Sequence, residues 1–137
     1  MKVFLDANIL VTVLNKEYPV FTSAARILSL AENSRFQLYT SPLCLAIAFY
    51  FSGKKSGEDL AKKKIVLLTS KIAITKTDEI TIKQTITNKN INYFEDGLEY
   101  YSALGSGCEV RITEDTGDFY LSEIEVIDCN SFLNKYF

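Results

Sequence analysis

Short apolar runs alternate along this chain with stretches in which apolar residues recur at helical spacing. Lys2 to Leu5 is a brief β-favouring run, too short for a helix, and predicts a buried strand; Ala7 onward predicts a helix. Phe21, Ala24, Ala25, Leu28 and Ala31 then mark one face of an amphipathic helix from about Val20 to Glu32. FQLYT reads as the next strand. Ser41 as a cap and Pro42 at the first helical position start a helix running to about Ser52, with Gly53 and Gly57 marking its end and a loop. Glu58 to Ser70 predicts a helix with Ala61, Ile65 and Leu68 inward and Lys62 and Lys63 outward, and KIAIT predicts a short strand. DEITIKQTIT is ambiguous: its isoleucines alternate as in a strand, yet a parallel sheet needs a crossover helix here, and we assign helix. YFEDGLEYYSALGSG is a helix ending in glycines, CEVRIT a strand, EDTGDFY a loop and IEVID a strand. NSFLNKYF closes the chain as a helix capped by Asn130 or Ser131. This alternation predicts an α/β fold with a parallel sheet covered by helices.

Composition narrows the function. The 137 residues, 47% hydrophobic and 23% charged, suit one soluble globular domain. The longest apolar run, Leu43 to Phe51, falls short of the roughly 18 residues a membrane span requires, so a buried helix and no membrane contact are expected. The N-terminus lacks the pattern of a secretory leader, which makes the cytoplasm the expected compartment. Cys44, Cys108 and Cys129 fit neither a zinc pattern nor a redox pair and are expected as buried free thiols. Histidine is absent, which excludes Ser-His and Cys-His nucleophiles, a histidine base and histidine-based zinc sites. Chemistry is left to carboxylates, lysines, hydroxyls or a metal. The net charge of −2 offers no overall attraction to nucleic acid. Lys54, Lys55, Lys62, Lys63 and Lys64 form a local cluster, readable as a phosphate-binding patch or as a solvated helix face.

The acidic residues are the informative ones. Asp6 ends the first strand, and Asp115 follows the strand that ends at Thr113, with Asp118 in the same loop. Carboxyl ends of strands in α/β sheets border the ligand crevice. Asp96 lies in the first turn of its helix; at about 100° per residue it points away from Phe94 and Leu98, expected on the core face, and towards solvent or a cleft beside Glu99 and Tyr100. Taken singly, Asp96 is an ordinary helix-start charge, and Asp115 and Asp118 are ordinary turn residues. Asp6 is less easily dismissed, because a carboxylate ending a buried strand is costly without a partner. Asn8 either caps the first helix or steadies Asp6. Carboxylates converging in one cleft need a cation, and oxygen ligands select Mg²⁺ or Mn²⁺.

Four blocks in register extend this reading: LDANIL, TSPLCLAIA, FEDGLEYYSALGSGCEVRITEDTGDF and IEVIDCNSFL. Together they resemble the PIN-domain family, in particular its short VapC-type members, the toxins of bacterial toxin–antitoxin pairs. The resemblance implies a three-layer α/β/α sandwich with a central parallel sheet. It also implies Mg²⁺- or Mn²⁺-dependent cleavage of RNA by clustered acids, a cognate antitoxin and pairing of subunits into a homodimer. Residue by residue, Asp6, Asp96 and Asp115 match acidic catalytic and metal-binding positions, Asp118 lies close by, and Thr113 matches a supporting hydroxyl.

One acidic position departs from the family pattern. Where a glutamate is common in the helix after the second strand, this chain has Ile47, and no carboxylate lies between Glu32 and Glu58. Glu99, beside Asp96, is the nearest replacement helical geometry offers; a solvated surface glutamate is the alternative reading. The expectation is therefore a ribonuclease with a degraded second acidic position, set against a PIN-fold module that binds RNA or protein with little cleavage. A small response-type or ligand-binding α/β domain is a third class, set behind these two. Tyr50, Phe51, Tyr100, Tyr101 and Phe137 exceed what a small core obviously needs; core packing is their default reading, and an apolar partner surface is the alternative they raise.

Overall fold

The computed structural model describes residues 1–118 and 123–137. Five parallel strands form the central sheet, with helices flanking it in three layers. In chain order the elements are β1 (Lys2–Leu5), α1 (Ala7–Asn15), α2 (Phe21–Ser29), a 3₁₀ turn (Leu30–Glu32), β2 (Gln37–Thr40), α3 (Pro42–Ser56), α4 (Glu58–Thr69) and β3 (Ala73–Ile74). There follow α5 (Glu79–Thr87), α6 (Phe94–Gly105), β4 (Val110–Ile112), a 3₁₀ turn (Thr116–Asp118), β5 (Glu125–Ile127) and α7 (Cys129–Tyr136). The spatial order is β3-β2-β1-β4-β5, so β1 and β4 lie side by side at the middle of the sheet. That adjacency brings two strand ends, far apart in sequence, to one place.

Side-chain alternation then sorts the sheet faces. Val3, Leu5, Leu38, Val110 and Ile112 share one face and are almost wholly buried. The opposite face carries Phe4 beside Arg111 in register, with Asp6 two residues beyond Phe4. An apolar face and a face bearing buried charge thus back onto each other across one layer of backbone.

Local signals explain most element ends. Asp6 caps α1, its Oδ1 accepting from the Ala7 amide at 2.7 Å, and Ser41 Oγ accepts from the Cys44 amide at the start of α3. The ambiguous DEITIKQTIT segment is helical because Asp78 and Thr81 form a reciprocal capping box at its start. Two expected boundaries are corrected. Helix α3 continues through Gly53 to Ser56, where Lys55 Nζ bonds the Asn15 carbonyl, and only Gly57, at φ +87°, turns the chain into α4. Helix α7 is capped by Asp128, whose Oδ1 accepts from the Ser131 amide at 2.7 Å, not by Asn130 or Ser131.

Helix α6 also corrects an expected core face. Phe94 is 48% exposed, and the buried positions are Gly97, Glu99, Ser102 and Ala103. The inward face is small and polar because α5 and α6 approach closely: a Cβ on Gly97 would come within 2.5 Å of Thr85 Cγ2. Ser102 Oγ meets the hydroxyls of Thr75 and Thr77, in the segment between β3 and α5. Among the described residues no helix is long and apolar enough to cross a membrane.

Candidate functional site

The site grows from the end of β1. Thr40 Oγ1 donates to the Leu5 carbonyl at 2.9 Å, and the Asp6 amide donates to the Ile112 carbonyl at 3.0 Å, so Asp6 is held between β2 and β4. Its Oδ1 caps α1, and its Oδ2 accepts from Arg111 Nη2 at 3.1 Å. The same Arg111 nitrogen donates to Glu99 Oε2 at 2.6 Å. Cys44, from the first turn of α3, donates its thiol to Glu99 Oε1 at 3.1 Å. Four elements therefore meet at one buried cluster of Asp6, Cys44, Glu99 and Arg111.

A second layer organises the loop after β4. Asn8 Nδ2 donates to Thr113 Oγ1 at 2.9 Å and to Asp115 Oδ2 at 3.3 Å, while Asn8 Oδ1 accepts from the Glu114 amide at 3.2 Å. Asn8 thus neither caps α1 nor steadies Asp6, the two roles expected of it, and instead clamps the β4 loop to α1. Thr113 Oγ1 also accepts from the Asp115 amide, which sets the loop's turn.

Above the buried cluster opens a cavity of about 490 Å³, lined by Asp6, Asn8, Ile47, Asp96, Glu99 and Asp115 among others. Asp6, Asp96 and Asp115, picked out in the sequence on separate segments, all border this one cavity. Thr113 stands behind its wall, and the side chain of Asp118 lies outside the described residues. Glu99 is buried at 5% exposure, so it is no solvated surface glutamate. Ile47 lines the cavity half-buried, one turn along α3 from Cys44. Val11 and Phe51 add apolar wall.

Sequence reasoning missed Arg111 and Cys44 as members of the site. A signal for Arg111 was present: a lone cation inside the strand CEVRIT has no place in a sheet core unless anions meet it. Cys44 carried no comparable signal, and its two fellow thiols, Cys108 and Cys129, are buried and free as expected.

Burial pushes the Glu99 carboxyl up to about 8; the neighbouring Asp6 carboxylate adds to this and Arg111 opposes it. Burial likewise pushes the Cys44 thiol well above its usual range, with Glu99 and Asp6 reinforcing the effect, so it stays protonated. For Glu99 the folded chain retains a proton that the unfolded chain releases between about 4.5 and about 8. Its contribution to stability is full below that window and is lost as pH rises through it. In chelator-treated protein the thermal midpoint should fall across this window, and Glu99→Gln should flatten the decline; an unchanged slope in the variant would locate the titration elsewhere.

The donor sets at the mouth and the floor of the cavity differ in their fitness for a metal. At the mouth, Asp6, Asp96 and Asp115 offer hard carboxylate oxygens suited to Mg²⁺ or Mn²⁺. At the floor, Asp6, Cys44 and Glu99 bring ligand atoms within 4.8 Å of one another, but one of the three is a protonated thiol and both carboxylates hold Arg111. By donor type the mouth suits a hard divalent ion better than the floor does, although the set whose ligand atoms all lie within 4.8 Å of one another, among the described residues, is the floor one.

The two lysine readings divide. Lys55 and Lys64 donate to the Asn15 and Leu14 carbonyls at the end of α1, while Lys62 and Lys63 are exposed. The aromatic set divides too: Tyr50, Phe51 and Phe137 are exposed, whereas Tyr101 and Tyr100 accept hydrogen bonds from Asn88 and the Glu123 amide.

A family model for the PIN domain matches residues 2–117. The chain belongs to the PIN domain family. It is 26% identical over 140 residues to ribonuclease VapC1 of Aquifex aeolicus (strain VF5), covering 98% of this chain and 95% of that protein. Among solved structures it resembles VapBC2 from Rickettsia felis bound to a DNA fragment from their promoter, at a TM-score of 0.70 and 18% identity, over 93% of this chain and 98% of that one. It also resembles VapBC-1 from nontypeable Haemophilus influenzae, at a TM-score of 0.68 and 20% identity, over 95% and 99% of the two chains. Membership agrees with the resemblance in the four sequence blocks, and the parallel sheet agrees with the fold that resemblance implied.

Proposed function

We propose that this PIN-domain chain is a divalent-metal-dependent endoribonuclease acting as the toxin of a toxin–antitoxin pair. The observation that carries the reading is the shared cavity: Asp6, Asp96 and Asp115, from the ends of β1 and β4 and the start of α6, all line it. The VapC1 relative, named a ribonuclease, and the VapBC structures of like fold support the activity and the antitoxin partner. Asp6, Asp96 and Asp115 would hold a Mg²⁺ or Mn²⁺ ion at the cavity mouth. Bound there, the ion supplies a hydroxide-like nucleophile and neutralises charge on the scissile phosphate. Asn8 fixes the direction of the Asp115 carboxylate, the α1 cap and Arg111 fix that of Asp6, and Ile47 and Val11 wall one side of the cavity with apolar surface.

A second reading, a PIN-fold binding module with little cleavage, is favoured by Ile47 and by the thiol and guanidinium on the cavity floor. The two readings are separated by incubating purified protein with a structured RNA, with Mn²⁺ or with chelator. Metal-dependent cleavage supports the nuclease; retention of RNA or antitoxin without cleavage under either condition supports the module. Restoring the acid by Ile47→Glu should tighten Mn²⁺ binding about tenfold, because charge count tunes the affinity of oxygen sites. Ile47 lines the cavity and also packs against the core; if its cavity side takes the new carboxylate the fold should tolerate it, and a loss of thermal stability that Mn²⁺ does not recover would place Ile47 functionally in the core. The antitoxin is tested by the adjacent reading frame: a small overlapping frame whose product co-purifies is expected. Homodimerisation belongs to the same proposal, with exposed Tyr50, Phe51 and Phe137 as its apolar candidates, and light scattering checks it.

A further inference from the structure

Asp6 and Glu99 each direct one carboxylate oxygen to the same nitrogen, Arg111 Nη2, at 3.1 and 2.6 Å. A bridging divalent ion would need both oxygens at about 2.0–2.2 Å. It would therefore claim the space that the guanidinium nitrogen fills. The Arg111 charge is permanent, since guanidinium is not deprotonated in proteins. Nor is the side chain placed to swing aside: Arg111 is 1% exposed, its backbone lies in β4 between β1 and β5, and its Cζ sits 5.8 Å from the centre of the Phe4 ring. The third group on the floor, the Cys44 thiol, gives its proton to a hydrogen bond with Glu99 and is a soft donor unsuited to a hard cation.

We propose that Arg111 is a resident cation that takes the inner position of the acidic site, so that the chain holds at most one divalent ion, at the cavity mouth. Sites that use paired ions place the second about 3.5–4 Å from the first. Here a protein cation joined to Asp6, the carboxylate shared by mouth and floor, fills that inner role. Arg111 is thus a positioning residue: it keeps Asp6 and Glu99 together without a second metal. The proposal rests on the reading of the mouth as an ion site only for the count in the wild type.

Mn²⁺ stoichiometry, measured by calorimetric titration and by the electron paramagnetic resonance of free Mn²⁺, tests it without reference to cleavage. The wild type should take up one ion per chain. Arg111→Met should take up one more, and its thermal midpoint should rise with Mn²⁺ by more than that of the wild type. Asp96→Asn/Asp115→Asn, which leaves the floor untouched, should take up none. Two ions in the wild type, no additional ion in Arg111→Met, or an ion retained by Asp96→Asn/Asp115→Asn each overturn the proposal. Should Arg111→Met fold only when Mn²⁺ is present, that requirement supports it; should it fold in neither buffer, the wild type and the mouth variant decide. A wild type that binds no ion alongside an Arg111→Met chain that binds one would remove the mouth assignment and leave the role of Arg111 standing.

Discussion

Arg111→Met is expected to destabilise the metal-free fold by about 3–5 kcal/mol, the range for stripping one partner from a buried ion pair. The cost follows from the charge balance of the cluster. Glu99, raised to about 8, keeps its proton at neutral pH and Asp6 carries the charge that Arg111 balances, so removing the cation leaves the buried Asp6 carboxylate with the Ala7 amide and the Cys44 thiol, both too weak to replace it. Glu99→Leu should cost less, because it leaves Arg111 and Asp6 as a balanced pair. The double variant Glu99→Leu/Arg111→Met should recover part of the loss, since it replaces the buried Glu99–Arg111 contact with apolar surface but still leaves Asp6 without its cation. Urea unfolding in chelator at fixed pH measures all four species, with unchanged slopes as the check that only stability has moved. The expected result is strong coupling: the double variant more stable than the sum of the singles predicts. Additivity within about 0.5 kcal/mol would mean that Arg111 and Glu99 do not act as one unit.

This cluster is where reading the chain as a string of patterns succeeds and then stops. Asp6 was legible because a strand of four residues ends at a charge, and strand ends border crevices in α/β sheets. Asp96 was legible from its helical direction, and Asp115 from its place after a strand. Each argument needs only local geometry. Arg111 and Glu99 needed more. Which residue of CEVRIT faces Asp6 depends on the pairing register of β1 with β4, and nothing local encodes it. Glu99 sits on a helix face of Gly97, Ser102 and Ala103, small or polar residues that helical hydrophobic periodicity does not mark as inward. The same periodicity puts Phe94 in the core, although it is exposed, because apolar character is a poor guide to burial where close helix approach is the governing constraint. Gly53 illustrates the converse. Glycine is a weak helix breaker, costing about 1 kcal/mol, and the basic turn that follows it is held by the bond from Lys55 to α1. Topology resolves DEITIKQTIT, and the capping box of Asp78 and Thr81 shows that a local signal lay in the same letters.

Asp6→Asn is expected to abolish RNA cleavage, by on the order of 10²-fold or more, while leaving the fold intact. Even partners that only orient a metal ligand cost 10–100-fold when lost, and Asp6 both lines the cavity and belongs to the buried cluster beneath it. Stability should move the other way. Asparagine is as good a helix cap as aspartate, so its one amide oxygen can keep the bond to the Ala7 amide and the start of α1 is preserved, while the bond that Asp6 Oδ2 accepts from Arg111 is given up. The floor would then hold one carboxylate against one guanidinium, removing the repulsion that helps raise Glu99. A thermal midpoint in chelator equal to or above that of the wild type, together with lost cleavage and weakened Mn²⁺ uptake, identifies Asp6 as a residue kept for chemistry at the expense of stability. A drop of several degrees with cleavage reduced only in proportion to the folded fraction would instead make Asp6 a structural partner of Arg111. Measuring both quantities on the same preparation separates these outcomes, because a structural role predicts that they fall together and a functional role predicts that they part.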